Sequence, residues 1–92
     1  MVARVVGEHM SRTLRQQMVI ENAVGAGGTV GTTKAARSAP DGYTLVLGHM
    51  GTHAAAVGLY PTLAYNPATD FQPVGLVASM SITIIARKDF PP

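Results

Sequence analysis

Val2, Val6, Met10 and Leu14 recur every four residues along the first stretch of the chain, with Val5 beside them. One apolar stripe at that spacing marks an amphipathic helix, and it predicts a helix over residues 2 to 16. No N-cap residue precedes it, so the chain reads as starting inside a helix. The period then changes. Met18, Val19 and Ile20 lead to Glu21 as a short buried strand, and a glycine-rich loop follows. Residues 29 to 38 read as a second helix with Val30, Ala35 and Ala36 on its packing side. Pro40-Asp41-Gly42 predicts a turn, because proline presets φ and glycine accepts a positive φ. Residues 43 to 47 are a β-rich run and a second strand. Residues 48 to 53 form another loop, opening into a short helical stretch near residues 54 to 59. In the Pro-, Asn-, Thr- and Asp-rich segment 60 to 73, Asn66 is placed to cap a short turn with Pro67 at its first position. Residues 74 to 86 are apolar and partly β-branched, one long or broken strand. Helices alternating with strands predict an α/β fold, a mostly parallel sheet with flanking helices.

Composition narrows the class. The 92 residues suffice for one small domain, and 47% hydrophobic against 13% charged residues is a globular balance. The net charge of +2 comes from scattered Lys and Arg, and Glu8 is spaced to pair with Arg4 or Arg12 on the first helix. With no Trp and few other aromatic rings, nothing here resembles a nucleic-acid surface. The absence of cysteine excludes disulfides and thiolate metal sites. No apolar run approaches the roughly 20 residues of a membrane helix. Met1-Val2-Ala3-Arg4 does not open a signal peptide, so the chain as it stands is expected in the cytoplasm.

The segment "ENAVGAGGTVGTT" places Gly25, Gly27, Gly28 and Gly31 within seven positions. A dinucleotide fingerprint from Gly25 needs a glycine where Val30 stands, and a P-loop needs Gly-Lys-Ser/Thr where Thr33-Lys34-Ala35 stands. What remains is a glycine-rich turn from a strand into a helix N-terminus. Free N–H groups and the helix dipole favour an anion there. The plain alternative, a tight turn with close helix–sheet packing, stands equally on this segment alone. A second loop, "GHMGTHA" from Gly48, also follows a strand and opens a helix. Ligands of open α/β sheets bind beyond the carboxyl ends of the strands. The N–H groups of Ala26 to Thr29 and of Met50 to His53 are thus expected to face one carboxylate or dicarboxylate. The candidate ligand-binding residues are Gly25, Ala26, Gly27, Gly28, Thr29, His49, Met50, Gly51, Thr52 and His53. A His49–His53 metal pair is the weaker reading, since no Cys or nearby carboxylate completes a site. Donation from His53 to an anion and an ordinary surface histidine both remain open. No nucleophile elbow or Ser-His-Asp order is present, so neither catalysis, a cofactor nor a metal is expected.

"VIENAVGAGGTVGTTKAARSAPDGYTLVLGHMGTHA" followed by "LYPTLAYNPATDFQPVGLVA" resembles the substrate-binding receptors of tripartite tricarboxylate transporters, the Bug receptors. The matching positions are Glu21, Asn22, Gly25 to Gly28, Pro40 to Leu45, Leu59, Tyr60, Tyr65, Pro67, Asp70, Phe71, Pro73 and Val74, so the likeness spans essentially the whole chain. It implies a two-lobed periplasmic binding protein of the type II class that holds a small organic acid between its lobes and serves membrane permease subunits. By position, the Gly25–Gly28 and Gly48–His53 loops match ligand loops of the first lobe. The family is longer, which leads to the expectation that residues 1 to 92 are an incomplete lobe one, without its first strand and without the second lobe. Three readings follow: a receptor fragment for a carboxylate, a remnant or oligomerising module, and, least supported, a nucleotide-using enzyme. A slot left by the absent strand leads further to the expectation of a homo-oligomer by strand exchange through residues 82 to 86.

Overall fold

Five helical pieces carry the architecture of the computed structural model, which describes residues 1 to 89. Helix α1 spans Val2–Leu14. A 3₁₀ turn over Ala26–Gly28 runs directly into α2, Thr29–Ala36. A π-helical turn over Gly51–Ala55 continues into α3, Ala56–Leu59.

Helix α1 forms where the four-residue stripe places it and stops two residues early, because Arg15 takes a left-handed conformation (φ 54°) as its C-cap. Its one buried residue is Gly7. A Cβ there would lie 2.9 Å from Ile20 Cδ1, so the Ile20 side chain packs directly over the bare backbone of Gly7. Ser11 ties the returning chain, donating from Oγ to the Gly7 carbonyl (2.7 Å) and accepting from the Met18 N–H (3.0 Å). The apolar stripe itself is open: Val5 and Leu14 are more than half exposed.

Helix α2 begins at Thr29 as expected and ends at Ala36. Its packing side differs from the expected one. Thr29 and Thr32 are the buried residues, whereas Val30 is half exposed. Threonine suits that side because each hydroxyl returns a hydrogen bond to the preceding turn, Thr29 to the Ala26 carbonyl and Thr32 to the Gly28 carbonyl. The turn at Pro40-Asp41-Gly42 closes as the sequence predicts, with Asp41 Oδ1 accepting from the Tyr43 N–H (3.0 Å). Asn66 likewise closes its own turn, accepting from the Ala68 N–H through Oδ1 (2.9 Å).

The expected sheet is the main correction. Among the described residues no strand is paired, so residues 18–21, 43–47 and 74–86 stand without a ladder. A strand needs a partner for every other N–H and C=O, and within this chain the three runs do not supply one another. The consequence is a thin core. Ala56 and Tyr65 are its buried apolar residues, while Leu76, Met80, Ile84 and Ile85 are more than four-fifths exposed. The radius of gyration is 16.1 Å, against about 12 Å for a compact domain of this length.

Candidate functional site

The two loops singled out in the sequence meet. A Cβ built on Gly28 would lie 2.9 Å from Thr52 Cγ2 and 4.0 Å from His49 Nε2. One built on Gly27 would lie 3.0 Å from the Tyr60 hydroxyl. Both glycines have positive φ (64° and 93°), a region side chains rarely enter. Both thus serve the tight 3₁₀ turn, and each also allows a close approach, Gly27 of the Tyr60 hydroxyl and Gly28 of the π-helical turn. Ala26 holds φ 44° without being glycine. It is fixed from two sides, because its carbonyl accepts from both the Thr29 hydroxyl (2.9 Å) and the Tyr60 hydroxyl (3.0 Å).

The second loop is built around Thr52, which is 3% exposed. Its Oγ1 accepts from the His49 N–H (3.3 Å) and lies 2.8 Å from His53 Nδ1. The Tyr65 phenol donates to its carbonyl over 2.6 Å. His53 packs against Phe71 and Tyr65, with ring centroids 5.1 and 6.4 Å away. The helical stretch opens earlier than residue 54, since the π-helical turn already includes Gly51 and Thr52. Single π turns inserted before an α-helix are a recurring feature of functional sites.

Each sequence-predicted residue has a definite place. Gly25 precedes the 3₁₀ turn at its outer edge, and Thr29 is buried at the start of α2. Gly28, His49 and Thr52 converge. Met50 is exposed at the entry of the π-helical turn. Of the N–H groups expected to face a ligand, four are engaged within the protein. Gly28 donates to the Gly25 carbonyl, Thr29 to the Ala26 carbonyl, Gly51 to His49 Nδ1 and His53 to the His49 carbonyl. The N–H groups of Ala26, Gly27, Met50 and Thr52 make no hydrogen bond among the described residues. The donor set is thus narrower than the loops themselves, two N–H groups from each turn. Free N–H groups at two adjoining helical starts suit an oxyanion.

Tyr60 and Tyr65 are the residues that residue-by-residue reading passed over. Tyr60 ties the first loop and Tyr65 the second, from 34 and 13 residues away in sequence. Both stand in the segment that carries the resemblance, which is the one signal that marks them. Among the described residues no group of three His, Cys, Asp or Glu side chains comes together. No helix among them is long and apolar enough to cross a membrane.

Comparison with known proteins places this arrangement. The profile of the tripartite tricarboxylate transporter family receptor matches residues 2–92. A UPF0065 protein in the TAR-I ttuE-ttuC′ intergenic region of Agrobacterium vitis is 50% identical over 91 residues, covering 99% of this chain and 26% of that protein. Protein BugT of Bordetella pertussis is 35% identical over 87 residues, covering 94% of this chain and 27% of BugT. Among solved structures, MatC from Rhodopseudomonas palustris with bound malate aligns with a TM-score of 0.78 and 55% identity, covering 83% of this chain and 26% of MatC. The chain spans about a quarter of the length of each of these relatives. It belongs to the tripartite tricarboxylate transporter receptor family.

Proposed function

We propose that this chain forms one face of the ligand crevice of an extracytoplasmic solute receptor that captures a small carboxylate or dicarboxylate for uptake. The observation that carries the reading is the close approach of Gly28 to Thr52, which sets side by side the two turns that each carry N–H groups without a partner among the described residues. Oriented N–H groups hold a carboxylate without needing a lysine or arginine, and among the described residues no salt bridge crosses this site. The likeness to MatC, a structure with malate bound, supports an organic acid as ligand. The remainder of such a receptor supplies the opposing face and the selectivity among acids. Delivery to membrane permease subunits, and work in the periplasm, go with that role. No group here performs chemistry on the ligand: the side chains around it position, and the backbone binds.

A graft tests the reading. The stretch of MatC that this chain matches is replaced by the chain, and malate binding is measured by calorimetry. The graft should bind malate. Gly27→Val, which blocks backbone approach, and Thr52→Val, which releases the second loop, should each weaken binding. Unchanged affinity in both variants would remove these loops from the site.

A further inference from the structure

His49 is folded over Gly51. A Cβ on Gly51 would lie 2.6 Å from His49 Cε1 and 2.9 Å from Nδ1, so a side chain at 51 would push the ring out of this position. In that position the Gly51 N–H donates to His49 Nδ1 over 2.9 Å. A backbone N–H can only donate. His49 Nδ1 must therefore be bare, and the single proton of the neutral imidazole sits on Nε2. That nitrogen lies 4.0 Å from where a Gly28 Cβ would stand, and it makes no hydrogen bond among the described residues. The His49 backbone is fixed as well, since its N–H donates to Thr52 Oγ1 and its carbonyl accepts from the His53 N–H (2.9 Å). The outcome is a ring held from its backbone and from one nitrogen, with its other nitrogen free at the junction of the two loops.

We propose that His49 is a ligand-orienting residue of this crevice, a neutral imidazole that offers Nε2–H to a carboxylate or hydroxyl oxygen of the bound acid. The assignment rests on the receptor reading above and deepens it. In that reading the backbone N–H groups donate to any small oxyanion of suitable size. A fifth donor on a locked side chain adds direction, because it asks for an acceptor oxygen at one place beside Gly28. The Gly51 bond removes the freedom that an exposed histidine otherwise loses on binding. The interaction is a hydrogen bond from an uncharged donor, so an amide of the same reach can replace it. Glutamine carries its N–H near the position of Nε2. Asparagine reaches only to the position of Nδ1.

The first measurement is the tautomer, read by nitrogen NMR on the ¹⁵N-histidine-labelled 92-residue chain at a pH where the imidazole is neutral. His49 Nδ1 should resonate as an unprotonated nitrogen and Nε2 as a protonated one. The opposite tautomer overturns the assignment whatever binds. The second is calorimetry with malate on the MatC graft. His49→Asn should weaken binding roughly tenfold or more, the usual scale for a hydrogen bond to a charged group, and His49→Gln should stay within a few-fold of the parent. Parental affinity in His49→Asn overturns the role of His49 and leaves the receptor reading in place. Failure of the unsubstituted graft to bind malate overturns both.

Discussion

The phenol of Tyr65 donates to the carbonyl of Thr52 over 2.6 Å, and both residues are almost fully buried. This contact fastens the Pro- and Asn-rich segment to the π-helical turn. Tyr65 also meets Phe71 edge-on, with centroids 6.0 Å apart, and Phe71 meets His53. The second loop thus leans through its own His53 on two rings, Tyr65 and Phe71, while Thr52 also meets Gly28 of the first loop.

Tyr65→Phe removes the donor and keeps the ring. A buried carbonyl then loses its side-chain partner, a change worth about 1–2 kcal/mol. The expected result is a lower urea midpoint. Tyr60→Phe, whose bond to the Ala26 carbonyl is exposed to water, should cost about 0.5 kcal/mol, because water replaces the partner. Equal effects from the two variants would show that the buried bond has no special weight.

Gly28→Ala and Gly42→Ala separate two consequences of a side chain at positive φ. At Gly42 (φ 80°) nothing lies within 4 Å of a new Cβ, so only backbone strain arises, about 1–2 kcal/mol. At Gly28 (φ 93°) the same strain is joined by a 2.9 Å approach to Thr52 Cγ2. Gly28→Ala should therefore be the more destabilising by denaturant titration, and it alone should alter the amide resonances of residues 49–53. Resonances in that loop left in place would mean that the two turns do not touch in solution.

The helices were legible in the sequence because each rests on local information. The four-residue stripe of Val2, Val6, Met10 and Leu14 needs no distant partner to form its turns, and Gly28-Thr29 marks the start of α2 by itself. The two loops do lie together at Gly28 and Thr52, although the adjacent strand ends expected to bring them there are not paired among the described residues. The strands were not legible, since an apolar β-branched run states that it can pair and not with what. Residues 43–47 and 74–86 meet no partner here. The packing side of α2 was misread because Val30 outranks Thr32 on any hydrophobic scale. Hydroxyls that return their bond to the helix bury at little cost, and that reverses the order. The roles of Tyr60 and Tyr65 depend on contacts across 34 and 13 residues, which no local pattern encodes.

Nucleotides should leave the chain unaffected. The glycine turn lacks both the third glycine of the dinucleotide motif and the lysine of a P-loop. A ligand that binds only the native state raises its stability by mass action, so ATP and NAD should give no thermal shift at millimolar concentration. A saturable shift with either would revive a nucleotide-using role.

The last expectation concerns self-association of the 92-residue chain. Residues 74 to 86 carry no charge, and within them Ile82, Ile84 and Ile85 are 64%, 96% and 86% exposed. Their backbone enters no ladder among the described residues. Uncharged β-branched runs with open backbone groups pair readily with another chain. A second copy offers the same run, together with the unpaired runs at residues 18–21 and 43–47. The purified chain is therefore expected to form oligomers by strand pairing, seen as a mass above 9.6 kDa in light scattering. Ile84→Lys places a charge on the most exposed of the three isoleucines. In a paired sheet that charge would face apolar neighbours, so the variant should shift the distribution toward monomer. Ser81→Lys is the weaker counterpart, since it removes no isoleucine from the pairing run. A monodisperse parent chain that melts cooperatively at 9.6 kDa would overturn the expectation, because these apolar runs would then be satisfied within a single copy.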